Sequence, residues 1–186
     1  MIYDLPKSLE VGGRDYEIRS DFRDVLEVIG IMNDIDLEGG ERAFVTLLFF
    51  YPKFETMPPQ DYQEALEKCY WFINGGKNEE TKENAPALMD WEQDFPYIIA
   101  PINRVIGHEV RADKYLHWWT FLSAYMEIGE CTFSQIVHIR DMQHRGKKLD
   151  AGDREWYNRN RDLVDLKTKY TTAEEDLLKK WGGGNG

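Results

Sequence analysis

The chain has 186 residues and a net charge of −11. A length of that order supplies one ordinary hydrophobic core, and the acidic excess excludes a duplex-coating role, whose affinity comes from neutralised phosphates. The two cysteines, Cys69 and Cys131, lack any Cys/His spacing, so neither a disulfide framework nor a zinc site is supported. The apolar runs at residues 43–51 and 97–102 fall far short of the roughly 20 residues that cross a bilayer. The N-terminus lacks the basic region and long apolar stretch of a secretory signal; the expectation is a cytoplasmic, unanchored protein.

The predicted elements begin with a hairpin. Residues 5–19, LPKSLEVGGRDYEIR, hold two short strand-like runs around Gly12-Gly13, and paired glycines supply the positive φ of a tight turn. Leu9, Val11, Tyr16 and Ile18 alternate with polar neighbours, giving one face to pack on helices, which an isolated hairpin needs. Ser20 or Asp21 caps a first helix through Phe22, Val25, Leu26, Val28 and Ile29, ended within residues 33–40. Residues 41–51 read as a second, mostly apolar helix closed by Pro52. Residues 60–74 read as a third, opened by Met57-Pro58-Pro59. Its apolar face is Tyr62, Ala65, Leu66, Cys69, Tyr70 and Ile73, and Gly75-Gly76 stops it. Residues 77–85, KNEETKENA, have no aliphatic anchor and read as an exposed charged loop.

Residues 90–107, DWEQDFPYIIAPINRVIG, open with acidic residues suited to a helix N-terminus. Trp91, Phe95, Ile98, Ile99, Ile102 and Ile106 follow at helical spacing, and Pro101 predicts a kink or a split into two shorter helices. Residues 114–126, KYLHWWTFLSAYM, read as the helix the rest is built against. Tyr115, Trp118, Trp119, Leu122, Tyr125 and Met126, widened by Phe121, form an aromatic stripe opposite a strip of Asp113, His117, Thr120, Ala124 and Glu127. Gly129 breaks it, and Thr132 caps a short helix holding Phe133, Ile136, Val137 and Ile139.

Residues 140–148, RDMQHRGKK, read as a basic loop ending in Gly146. Residues 150–169 resume as a polar helix in which Trp156, Leu163 and Tyr170 recur every seven residues beside Asn160 and Val164. Glu155–Arg159 and Asp165–Lys169 would be its i,i+4 pairs. Thr171 or Thr172 begins a last helix through Trp181, and residues 182–186, GGGNG, form a flexible tail. The expected fold class is mainly α: a helical bundle-like single domain over residues 1–181 with an N-terminal β-hairpin.

No phosphate loop, dinucleotide fingerprint or nucleophile elbow is present, and Gly12-Gly13, Gly39-Gly40 and Gly75-Gly76 read as turn punctuation. Asp90, Glu92 and Asp94, with His108 or His117, are the groups a metal-dependent hydrolase would use. Carboxylates in an opening helical turn are explained by the macrodipole alone, and His108, His117, His138 and His144 form no ligand spacing. No catalytic, cofactor or metal residue is therefore assigned. Arg140, His144, Arg145, Lys147 and Lys148, followed by Arg154, Arg159 and Arg161, are the candidate patch for an acidic partner, set against a solvated polar surface. The stretch up to Asp113 holds 23 Asp/Glu against 11 Lys/Arg and the remainder is nearly balanced. Attraction between these parts of different copies would favour self-association.

The succession LPKSLEVGGRDYEIRSDFR, DWEQDFPYIIAPINRVIG, LHWWTF, FSQIVHIR and REWYNRNRDLVDL resembles a family of small tail-region proteins of bacteriophages of Gram-positive bacteria, encoded just ahead of the tape-measure gene. The resemblance spans residues 5–166, and LHWWTF with the downstream EWYxxN is its most specific part. It implies an acidic, helical, non-enzymatic tail-assembly chaperone that holds the tape-measure protein until tail tube subunits polymerise around it. The implied partners are the tape-measure protein and then the tail tube protein, in the host cytoplasm, with the chain absent from the mature virion. A structural tail or connector subunit retained in the virion is the alternative. The resemblance carries over no catalytic residue. Its motif positions His117, Trp118, Trp119, Phe121, Trp156, Tyr157 and Asn160 are expected to be core and core-edge residues that set the packing of the last helices.

Overall fold

The computed structural model describes residues 4–78 and 87–174. Ser8–Val11 (β1) and Arg14–Glu17 (β2) pair antiparallel, with Val11 opposite Arg14. Gly12 and Gly13 turn the chain at φ 55° and 72°, the positive values a two-residue hairpin loop demands. Leu9, Val11, Tyr16 and Ile18 are all buried, so the alternation read in the sequence is the face that packs on the helices. The turn is itself docked: the Gly12 N–H donates to the Glu64 carboxylate at 3.0 Å. A Cβ at Gly12 would lie 2.4 Å from Asp61 Oδ2, a side-chain end that can shift, so it is the backbone angle that favours glycine here.

The helices are Phe22–Met32 (α1), Gly39–Phe50 (α2), Tyr62–Ile73 (α3), Trp91–Ile106 (α4), Trp118–Met126 (α5), Thr132–His144 (α6), Ala151–Arg159 (α7) and Arg161–Val164 (α8). The fold is mainly α with a small N-terminal hairpin, as the sequence predicts. Asp21, not Ser20, caps α1, accepting the Arg23 N–H at 3.0 Å. Gly39 and Gly40 are the opening residues of α2 and not a turn. The inward face of α3 is Ala65, Cys69 and Phe72, while Tyr70 points to solvent. The third-helix stripe is thus rotated from the one expected, because Phe72 fills the space beside Phe50, ring centroids 5.6 Å apart. α4 runs unsplit across Pro96 and Pro101. Ile98, Ile99, Pro101 and Ile102 are all buried there, and their packing outweighs the donor each proline removes.

The largest departure concerns the central helix, which begins at Trp118 and not near Lys114. The residues before it run extended beside the entry to α1: Phe22 N–H donates to the Leu116 carbonyl at 2.9 Å and Trp118 N–H to the Ser20 carbonyl at 2.8 Å. Those donors and acceptors are unavailable to a helical turn, and apolar spacing alone does not reveal a cross-chain bridge. Tyr115 consequently stands exposed, its hydroxyl 2.8 Å from Ser20 Oγ. The buried face of α5 is Trp118, Phe121 and Ala124, whereas Met126 is exposed and Ala124 belongs to the core instead of a polar strip.

Past α5 the sequence reading is corrected at four points. α6 is capped by Cys131, one residue before Thr132, and continues through Arg140 to His144, where a loop was expected. Gly146, at φ 63°, is the turn. The polar helix expected over residues 150–169 is two short helices parted at Asn160, whose side-chain amide donates to the Trp156 carbonyl at 2.9 Å. The Asp165–Lys169 pair gives way to Arg161–Asp165 at 2.9 Å and Lys169–Asp90 at 2.8 Å. Residues 172–174 are helical; the rest of the predicted last helix, the tail and most of the charged loop fall outside the described residues. One hydrophobic cluster joins the hairpin to α1–α5 and the start of α6, and a smaller one gathers Ile136, Ile139 and Val164 with Trp156, Tyr157 and Leu163 against it.

Candidate functional site

The carboxylates at the start of α4 do not converge on an ion. Asp90 is the N-cap, accepting the Gln93 N–H at 2.9 Å, and its other oxygen meets Lys169 Nζ at 2.8 Å. Burial raises its pKa, but the Lys169 ammonium and the Gln93 N–H outweigh it and hold Asp90 below its usual value. Glu92 projects into solvent. Asp94 is wholly buried and faces Arg140, with Nη1–Oδ2 at 2.7 Å and Nη2–Oδ1 at 3.0 Å. Among the described residues no cluster of three or more His, Cys, Asp or Glu is arranged to hold a metal ion.

Arg140 was a candidate for partner contact, and its position corrects that. Its side chain is 5 % exposed, and besides Asp94 it donates to the carbonyls of Val164 at 2.6 Å, Leu163 at 3.1 Å and Leu88 at 3.1 Å. All five guanidinium N–H groups are used. A sequence signal existed: Asp94 precedes Ile98 by four residues and Arg140 follows Ile136 by four, so each charge lies on the apolar face of its helix. Of the remaining patch residues, His144, Arg145, Lys147 and Lys148 are exposed, and Arg145 pairs with Asp141 at 2.9 Å.

His117 is buried and caps α5: its Nδ1 accepts the Trp119 N–H at 3.0 Å, so the proton sits on Nε2, which donates to the Pro6 carbonyl at 2.9 Å. Burial lowers its pKa, the Pro6 carbonyl works the other way and Lys7 adds to the lowering. His108 is exposed and lies 2.8 Å from Asp113. The two indoles of α5 donate to the end of α3, Trp118 Nε1 to the Ile73 carbonyl and Trp119 Nε1 to the Phe72 carbonyl, both at 2.8 Å. Phe121 is fully buried, Trp156 and Tyr157 pack on the small cluster, and Asn160 parts α7 from α8. Burial pushes the Cys69 thiol well above its usual pKa, the opposite of what a nucleophile needs.

A large concavity lies elsewhere. Between α1 and the N-terminal half of α4 runs a groove of about 1380 Å³, with Phe22, Leu26, Ile29, Trp91 and Phe95 in its walls. Residues 165–172 cross it as a strap. The Gln93 side-chain amide grips both directions of the strap backbone, donating to the Asp165 carbonyl and accepting the Lys167 N–H, each at 3.0 Å. At the far end Asp36 accepts the Thr172 N–H at 2.9 Å and its hydroxyl at 2.6 Å, hydrogen bonds that lower the Asp36 pKa.

A family model described as Bacteriophage Gp15 protein matches residues 1–166. The chain belongs to that phage protein family. Its helices α1–α8 lie inside the match and the strap from Lys167 onward lies beyond it. No curated protein and no solved structure matches the chain. No helix among the described residues is long and apolar enough to cross a membrane.

Proposed function

We propose that this member of the phage Gp15 family works without bond chemistry, as a tail-assembly chaperone that keeps the tape-measure protein of its phage in solution until tube subunits polymerise around it. The observation that supports the reading is an acidic helical body with accessible apolar side chains: the long groove between α1 and α4, and Phe44 with Leu48 exposed one turn apart on α2. A long helical client aggregates through its apolar faces, and contacts of this open kind cover such faces while remaining releasable. The groups a hydrolase would recruit are engaged in holding the fold: Asp94 by Arg140, Asp90 by the α4 N-terminus and Lys169, His117 by the α5 N-terminus.

Co-expression with the tape-measure protein encoded beside it tests the reading. The client is expected in the soluble fraction and in a complex with this chain, in the host cytoplasm. Purified virions are expected to lack the chain. Stoichiometric recovery from virions would instead make it a structural tail subunit, and an insoluble client with no complex would remove the chaperone role.

A further inference from the structure

We infer that the groove between α1 and α4 docks a basic, amphipathic segment of the partner chain, and that the strap at residues 165–172 holds that place in the unbound protein. The partner's identity rests on the chaperone reading; the chemistry of the occupant rests on the groove. At about 1380 Å³ the groove exceeds the roughly 300–1,000 Å³ typical of small-molecule sites, and two helices with an apolar trough between them suit a third helix laid along it.

Charge selects the occupant. Glu27, Asp34, Asp36, Asp90 and Glu92 edge the groove. Among the described residues, its cations outside the strap, Arg23 and Arg111, are already paired with Asp21 and Glu109, at 2.9 Å and 2.8 Å. What the rim receives from the strap is lysine: Lys169 Nζ lies 2.8 Å from Asp90 and 4.0 Å from Glu92. In the strap sequence Leu166-Lys167-Thr168-Lys169-Tyr170 the two lysines alternate with Leu166, Thr168 and Tyr170, yet Leu166 and Tyr170 remain 38 % and 47 % exposed. It meets the rim's charge and leaves the walls Leu26, Ile29, Trp91 and Phe95 half-buried. Of its clips, Gln93 to the Asp165 carbonyl is half-buried and the other three, at Gln93 and Asp36, face solvent; each is of small net worth. A segment bringing the same lysines and a fuller apolar face displaces it.

A fluorescent peptide of about 18 residues, five helical turns of leucine and lysine at amphipathic spacing, titrated into the full chain tests this by anisotropy. Binding is expected, about tenfold tighter for Gln93→Ala/Thr172→Val, in which faster amide exchange at residues 165–172 reports strap release. Binding about tenfold weaker is expected for Leu26→Glu in the wall and for Glu27→Lys/Glu92→Lys on the exposed rim, the second pair leaving the core untouched. A leucine and glutamate peptide of the same pattern should not bind. The proposal is overturned if strap release leaves affinity unchanged, if a lysine and serine peptide of equal charge binds as well, or if the strap-released protein dimerises and excludes the peptide. In co-expression, a client kept soluble equally by wild type and by Glu27→Lys/Glu92→Lys overturns the groove and spares the chaperone role. A client left insoluble by wild type removes that role, and the peptide titration then decides the groove.

Discussion

The cluster around Trp118 and the cluster around Arg140 are held by different physics. Around Trp118 the contacts are apolar and overlapping: Phe22 stacks on Phe121 at 4.5 Å between centroids, Trp118 lies 5.7 Å from Phe121, and Trp91 meets Trp118 edge-on at 5.8 Å. Around Arg140 the fully buried apolar residues are Ile136, Ile139 and Val164. There a single guanidinium ties α6 to α4, to Leu88 ahead of it and to the end of α8 through five hydrogen bonds. Stability in the first region is spread over many atoms, each replaceable at a graded cost. In the second it is concentrated in a charge that is tolerable only while its partners are present.

The largest expected effect belongs to the first region. Trp118→Ala removes an almost fully buried indole and should cost about 3–5 kcal/mol in chemical denaturation. Trp119→Ala, whose ring is half-buried and rests on Gly76, should cost clearly less. Equal losses would show that burial does not rank the two tryptophans. Arg140→Ala follows, also at about 3–5 kcal/mol, and it sharpens the contrast through where the loss appears. Amide exchange should accelerate across α6, α7 and α8 while α1, α3 and α5 keep their protection. Uniform acceleration would mean that the two clusters unfold as one unit. Asp94→Leu/Arg140→Met should be less damaging than either Ala single, since no buried charge is left unpaired.

What the sequence displays, and what it hides, divides along the same line. The hairpin face, a cap at Ser20 or Asp21, the acidic opening of α4 and the Gly75-Gly76 stop were legible because each depends on residues next to one another in the chain. The start of α5 was not, because the Asp21–His117 bridge joins strands 96 positions apart in a chain whose local pattern is helical. Arg140 was misplaced for a related reason. In RDMQHRGKK it stands ahead of an exposed run, residues 143–148, and only its register with Ile136, set against that of Asp94 with Ile98, marks it as inward. The groove was invisible for want of any motif: its walls are ordinary amphipathic positions, and its strap lies where a continuous helix was expected.

A smaller effect comes from His117, at the seam between hairpin and core. Its pKa is lowered in the folded protein by burial, so between the ordinary histidine value and that lowered one the unfolded chain binds the proton and the folded chain does not. Stability therefore rises with pH through this window and falls as the pH drops below the ordinary value of about 6.5. His117→Asn keeps an N-capping side chain and removes the titration. Its stability should change less than that of wild type between neutral pH and pH about 5.5. Parallel curves for the two proteins would show that the imidazole contributes nothing to acid sensitivity.

The smallest effect separates Arg140 from the basic residues beside it. Arg145, Lys147 and Lys148 are exposed, and the Arg145–Asp141 pair sits on the helix surface with the arginine 58 % exposed. Exposed pairs of this kind contribute little, so replacing each of the three by glutamine should change stability by no more than about 0.5 kcal/mol. The comparison is internal to one short stretch of sequence, which makes it demanding: four cations within nine residues, one inward and three outward, with nearly the whole cost assigned to the one. If the triple glutamine variant lost as much as Arg140→Ala, the C-terminal cluster would be held by the field of the entire run, and the buried pair with Asp94 would be only its innermost member.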